Sequence, residues 1–356
     1  MYPACDPARP LPPSAGAPSG QPDVGNPERG WETVSPRSGS ATGEKDFEAA
    51  PEQGPPRPEV TVIVPAYKGR ATIAGCLKAI LKASDRWRTE ILVIESSGDG
   101  TVELVRQSFP QVTVFASPIR LSAGGARNEG FRRARGTWLL CVDQDCLVPE
   151  DWIDRLVGLL QQPGTGAAGG SMAVANPGNR SGWCVYYLEF LNHFPSSGAV
   201  RTDNFLIGAN SAWHPQVARE IGFPDQTLGE DLLFSEAIRQ QGLAVRYDPT
   251  LTVHHHNREG WSEFTRYCRA MGDAAAVDQS RLGGLAISIL RKMPVLAFGI
   301  PLVILPRIAM RLLAAPRGYL ARYLLLLPCC VFGQLVWASS FRRRLIQAKA
   351  NEPADR

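Results

Sequence analysis

The chain has 356 residues, 44% of them hydrophobic and 20% charged, with a net charge of +4. That content supports a full-sized core and excludes a chain that is disordered throughout. The positive balance is small and its arginines are scattered, with no basic stripe interleaved with aromatics, so no nucleic-acid partner is expected. Eight cysteines form no C-x-x-C pair and no zinc-like spacing, which fits a reducing, cytoplasmic compartment without a disulfide framework. No basic segment followed by an apolar run opens the chain, so no secretory signal is expected.

Residues 1–57 are rich in Pro, Gly, Ser and Ala and carry no periodicity. Such a segment cannot bury enough apolar surface to offset its ordering entropy, and a disordered tail is expected. Residues 60–64 then form a short β-branched run suited to a strand buried on both faces. Residues 70–83 place Ile73, Leu77, Ile80 and Leu81 at helical spacing. A strand at 91–94, a helix at 101–109, a strand at 112–115, a helix at 122–135 and a strand at 138–142 follow. This alternation predicts parallel, right-handed βαβ units, whose ligands bind beyond the carboxyl ends of the strands. Farther on, strands are expected at 167–174, 205–212 and 244–247 and a helix at 230–241, with folded sequence spanning 58–280.

The C-terminal part changes character. Residues 293–306 are uncharged but short for a membrane crossing, whereas 323–341 are nineteen uncharged, Leu-rich positions. Arginines 307, 311, 317 and 322 precede the second run, and Arg342–Arg344 follow it, so the positive-inside rule leaves the topology open. Hydrophobic, membrane-associated helices are expected over 281–345, with a polar tail at 346–356.

Five places hold residues suited to chemistry. Asp143-Gln144-Asp145 ends an apolar run, where two carboxylates on a turn can address one hard cation such as Mg²⁺ or Mn²⁺, or simply form a solvated turn. Ser122-Ala-Gly-Gly125-Ala-Arg127-Asn128 opens a helix whose N–H groups and arginine can receive phosphate, or which is an ordinary capped helix. Glu230-Asp231 open another helix, where capping is the bland reading and a general base for an acceptor hydroxyl the functional one. Three consecutive imidazoles, His254 to His256, cannot all face one ion from an extended chain; one of them can join the aspartates, and His255 is the choice, against a structural role. Glu95, at a strand end before a Gly-rich turn, can accept bonds from a nucleobase or ribose, whereas Asp99 reads as a cap of the next helix.

In this order the pieces resemble the family 2 glycosyltransferases. The motifs are Val62-Ile-Val-Pro65-Ala66-Tyr67, Glu95-Ser-Ser-Gly-Asp-Gly-Thr101, Ala126-Arg-Asn-Glu-Gly130, Asp143-Gln-Asp145, Gly208-Ala-Asn-Ser-Ala-Trp213, Gly229-Glu-Asp231, and Tyr247-Asp-Pro followed by the histidines. The resemblance covers about 59–275. It implies an α/β GT-A nucleotide-diphospho-sugar transferase fold, with a mostly parallel sheet flanked by helices. It also implies a nucleotide-diphospho-sugar donor and, in most members, inversion at the anomeric carbon. Mapped residue by residue, Asp231 is the base with Glu230 beside it. Asp145 binds metal and diphosphate, with Asp143 on the metal or ribose side. Pro65, Ala66, Tyr67, Glu95, Gly125, Arg127, Asn128, Asp143 and Gln144 line the donor site, and Asp143, Asp145 and His255 hold Mg²⁺ or Mn²⁺. Glu95 stands where the family usually has Asp, a departure at the nucleobase contact. The Q-x-x-R-W signature of processive members is missing, so single transfers are expected. The tail suggests a lipid-linked or glycan acceptor at the cytoplasmic face of the cell membrane, in polysaccharide or glycolipid assembly. The alternatives are a non-catalytic membrane-anchored scaffold with this fold, whose signature would be damage to acidic positions that here all stand, and a nucleotidyltransferase on a similar sheet, which would want a basic Gly-rich loop where residues 65–69 offer only Lys68 and one glycine.

Overall fold

A computed structural model describes residues 56–224, 229–282 and 285–350. The expected N-terminal tail, but for its last two residues, lies outside the described residues, as do the last six residues of the expected polar tail. The elements run β1 (Val60–Ala66), α1 (Ile73–Ala83), β2 (Thr89–Glu95), α2 (Thr101–Ser108), β3 (Thr113–Ala116), α3 (Ala123–Arg133) and β4 (Trp138–Val142). They continue with β5 (Cys146–Leu147), α4 (Trp152–Leu160), β6 (Thr165–Val174), α5 (Arg180–Glu189), β7 (Arg201–Thr202), β8 (Asn210–Trp213), α6 (Pro215–Glu220) and α7 (Glu230–Gln240). Last come β9 (Ala244–His255), α8 (Trp261–Leu282), α9 (Leu285–Lys292), a 3-10 helix (Pro294–Gly299), α10 (Pro301–Leu312) and α11 (Tyr319–Ala350).

The strands form one mixed sheet in the order β3-β2-β1-β4-β8-β6-β9-β5, with β7 also on β9. The first four strands are all parallel, with a helix between each consecutive pair. β8 then inserts antiparallel between β4 and β6, and β6 pairs parallel with β9. The parallel expectation therefore holds for the first half of the sheet and gives way to mixed pairing in the second. All seven residues of β1 and all ten of β6 are buried, so both are covered on both faces. Glycines make the covering close: a Cβ at Gly130 of α3 would overlap Ile63 of β1.

Two expected strands moved. The run at 205–209 is irregular and ends in a turn, and only Asn210–Trp213 pairs in the sheet. The Asn210 amide explains the anchoring: it accepts from Trp152 Nε1 at 2.9 Å and donates to the carbonyls of Ser171 and Leu251 at 2.9 and 3.1 Å. The strand expected to stop at 247 is interrupted by an irregularity opposite Gly170/Ser171 and resumes to His255. A Cβ at Gly170 would overlap the Leu251 carbonyl, so glycine lets the bulge sit against β6.

Candidate active site

The turn after β4, the start of α7 and the segment leading into β8 meet around one arginine of α3. Arg127 is 2% exposed. Its Nη2 donates to Asp143 Oδ1 at 2.7 Å, and its Nη1 lies 3.4 Å from Asp231 Oδ1 and 3.6 Å from Glu230 Oε1. Residues more than a hundred positions apart in sequence are thus gathered by one guanidinium. Burial opposes its charge, but the three carboxylates outweigh burial and raise its pKa. A Cβ at Gly208 would overlap the guanidinium carbon, and the Gly208 N–H donates to Asp231 Oδ2 at 3.1 Å. Gly124 serves similarly on the α3 side, where a Cβ would press on Phe223 and Glu230.

Glu230 and Asp231 open α7 behind Gly229, whose φ of 80° is readily available only to glycine among common residues. Burial, then the adjoining Asp231 charge, pushes Glu230 up to about 7 against the pull of Arg127. Burial likewise raises Asp231, again opposed by Arg127. The pair therefore holds a proton far more readily than free carboxylates do, as a general base working near neutrality requires.

On the other side of the Asp143-Gln144-Asp145 turn, β5 pairs antiparallel with the end of β9, setting Cys146 opposite His255. His255 Nε2 lies 3.4 Å from Asp145 Oδ1, and its Nδ1 meets Asn257 Oδ1 at 2.9 Å. Burial disfavours charge on both partners, but their mutual attraction prevails: Asp145 is lowered, and His255 rises to about 9. Ligand atoms of Asp145, Cys146 and His255 all lie within 4.8 Å of one another, a group able to hold a metal ion. Burial and then Asp145 and Asp143 push the Cys146 thiol well up, so it stays protonated and suits a hard cation poorly. Asp145 and His255 are the fitting ligands. Asp143, expected with them, stands outside this group with Oδ1 taken by Arg127.

Several residues expected on the donor are engaged by the protein itself. Gln144 forms two 2.9 Å bonds to the backbone N–H and carbonyl of Tyr67, locking the loop after β1 to the turn after β4. Asn128 does the same to Phe223, with both bonds at 2.8 Å. The Gly125 N–H donates to the Ser122 cap at 3.0 Å. Glu95, 1% exposed, accepts from the N–H groups of Ser97 and Gly98 at 2.5 and 3.1 Å. The longer side chain thus folds back to cap its own turn. Asp99 accepts from the Thr101 N–H at 3.1 Å, the cap expected of it. Pro65 and Ala66 end β1 against Ile94 and Glu95. The Tyr67 ring is half exposed under Arg120, whose guanidinium carbon is 4.5 Å from its centroid.

Sequence reasoning missed Cys146, Glu189 and Arg258. Arg258 Nη1 lies 3.6 Å from Glu189 Oε2, at the end of α5. Burial raises the Glu189 carboxyl against the pull of Arg258 and His255, although its side chain keeps 29% of its surface in solvent. The signal was present as one acid closing the aromatic run 183–190.

Residues 61–212 match the model of Glycosyl transferase family 2. This stretch is a family 2 glycosyltransferase domain. Among known relatives, Glycosyltransferase AglE of Haloferax volcanii is 23% identical over 53% of this chain and 64% of its own length. Succinoglycan biosynthesis protein ExoO of Rhizobium meliloti is 34% identical over 33% of each chain. The chain thus spans between a third and two thirds of these relatives. A mannosyltransferase from Pyrobaculum calidifontis, solved with GDP-Man and Mn²⁺, aligns with a TM-score of 0.49 and 23% identity, covering 86% of this chain and 90% of that one.

Proposed function

We propose that the protein transfers a glycosyl residue from a nucleotide-diphospho-sugar to an acceptor hydroxyl, with Asp231 as general base. The observation that carries this reading is the convergence of Asp143, Glu230 and Asp231 on buried Arg127. A sheet rim with a paired, proton-attracting acid on one side and a two-residue cation site on the other suits glycosyl transfer. The Asp231 carboxylate takes the proton of the acceptor oxygen as that oxygen bonds to the anomeric carbon and the bond to the diphosphate oxygen breaks. Glu230 keeps the pair's charge adjustable. Arg127 fixes where Asp231 points, and the Gly208 N–H holds its second oxygen. Such placement substitutes for much of the entropy an encounter in solution would lose.

Asp145 and His255 would hold Mg²⁺ or Mn²⁺, which when bound neutralises charge on a departing nucleoside diphosphate. The rest of the donor is received by the loop after β1, where Tyr67 offers an accessible ring, and by the start of α3. By analogy with the family the reaction inverts the anomeric centre, and each encounter moves one sugar. The relative named for succinoglycan biosynthesis supports an envelope polysaccharide or glycolipid product. Two C-terminal segments, Pro294–Leu312 and Tyr319–Gln347, are long and apolar enough to cross a membrane. They support attachment to a membrane; the cytoplasmic face and a lipid-linked or glycan acceptor there are part of the proposal.

The test is release of nucleoside diphosphate from a panel of UDP-, GDP- and dTDP-sugars with Mn²⁺, Mg²⁺ or EDTA. The reading predicts turnover of one nucleotide class, abolished by EDTA and by Asp231→Asn. Turnover unchanged in Asp231→Asn would remove the assigned base.

A further inference from the structure

We propose that α10 and α11 lie in the plane of an anionic bilayer surface as a one-sided anchor and nowhere cross it. This rests on the membrane attachment proposed above and fixes its geometry and lipid chemistry.

The first turn of α11 and the loop that leads into it lie against the catalytic domain. Tyr187 Oη donates to the Tyr319 carbonyl at 2.9 Å, and Arg322 Nη1 donates to the Pro177 carbonyl at 2.9 Å. Residues 314–317 border a cavity of about 340 Å³ shared with Ser196, Pro249 and Thr250. A hairpin crossing would carry this loop to the far side of the membrane, away from residues it touches.

A single crossing by α11 meets a different obstacle. α11 runs alongside α8: a Cβ at Gly333 would overlap the Phe264 ring, one at Gly272 would overlap the Trp337 carbonyl, and Arg343 lies 3.6 Å from Asp273. α8 carries Glu263, Arg266 and Asp273, whose side chains are 40%, 72% and 41% exposed. A spanning α11 would draw those charges into hydrocarbon, where each is strongly disfavoured.

What remains outward is apolar and then basic. The exposed positions of α11 include Leu324, Leu325, Phe332 and Leu335 at helical spacing, and Leu302 of α10 is 78% exposed. Residues 293–347 hold seven arginines and no acidic residue. An apolar stripe flanked by arginine alone matches acyl chains beneath anionic headgroups.

The test adds the purified full chain to preformed vesicles of phosphatidylcholine, with and without phosphatidylglycerol. Flotation is expected to improve about tenfold with the anionic lipid and to fall in the double variant Leu302→Asp, Leu325→Asp. In floated protein, Arg317→Cys and Gln347→Cys should both react with an impermeant maleimide before lysis, above the background of the unsubstituted chain. Labelling of either position only after lysis would establish a crossing and overturn the proposal. Equal flotation on both vesicles would overturn the lipid preference. No flotation, with a dimer in sedimentation, would assign the stripe to a second copy. Donor turnover in detergent is followed in parallel; its absence would sink the transferase reading and leave the flotation result standing.

Discussion

Arg127 has almost no contact with water, and its terminal nitrogens face three carboxylates. Removing a buried ion-pair partner leaves uncompensated charge, so Arg127→Leu should destabilise the domain by about 3–5 kcal/mol in denaturant unfolding. Arg127→Lys retains the charge but not the planar fork, and should fold while losing about a hundredfold in kcat. A Lys variant with full kcat would show that the arginine neutralises without positioning. The acid pair also predicts a pH profile. Glu230 has a folded-state value of about 7 against an ordinary 4.5, so the folded protein holds this proton more tightly than the unfolded one. Its contribution to stability is complete below the ordinary value and is lost as pH rises through about 7. Activity runs the other way, because the base must be proton-free: kcat/KM should climb with rising pH along a limb lying above the range of a free carboxylate, since burial raises both acids. In Glu230→Gln the like charge beside Asp231 is gone and this limb should shift to lower pH; an unmoved limb would mean that another group titrates. The acidic motifs were legible because strand ends and helix starts are where such residues gain function or dipole stabilisation. Arg127's role was not, since its pairing with Asp231 spans 104 positions and follows from no local pattern.

At the scale of elements, glycine decides how closely the pieces approach. Gly208 sits where any side chain would collide with the Arg127 guanidinium. Gly208→Ala should therefore cost about 1–3 kcal/mol by overpacking and lower kcat more than it raises KM, since the base moves while the donor site stays. Steady-state kinetics of this variant with wild-type kcat would place the guanidinium outside catalysis. The first half of the sheet could be read from sequence because β-branched runs alternate with amphipathic helices there. α5 could not: seven of its ten residues are buried, which erases the polar face that marks a helix. β9 was cut short because Asp248-Pro249-Thr250 resembles a turn. The residues between the paired Asp248 and Thr252 instead form the bulge, braced by Arg155 Nη2 on Asp248 at 2.6 Å. The interruption conceals from the sequence why His255 is the imidazole that meets Asp145. Beyond the bulge the strand resumes its alternation, so His255 is buried while His254 is exposed.

Across the whole molecule, the C-terminal helices pack on the domain. Tyr186, Tyr187, Trp183 and Tyr319 form an aromatic cluster joining α5 to α11. Gly333→Val should force Phe264 aside and destabilise the folded chain by about 1–3 kcal/mol, seen as a lower thermal midpoint in detergent. An unchanged midpoint would mean that α11 and α8 are not packed in solution. Composition and length alone marked these helices as apolar; that they are partners of α5 and α8 depends on long-range contacts that periodicity does not record.

On the proposed function, the rim formed by Asp143, Asp145, Glu230 and Asp231 binds a nucleotide-diphospho-sugar with a divalent cation. Thermal shift of the purified protein against nucleotide-sugars, with Mn²⁺ or Mg²⁺ and with EDTA, tests it most directly, because a ligand that binds only the folded state must raise the midpoint. A metal-dependent rise with one nucleotide class, lost in Asp145→Ala and retained in Asp231→Asn, is the predicted result. No rise with any donor at saturating metal, in protein shown to be folded, would contradict it.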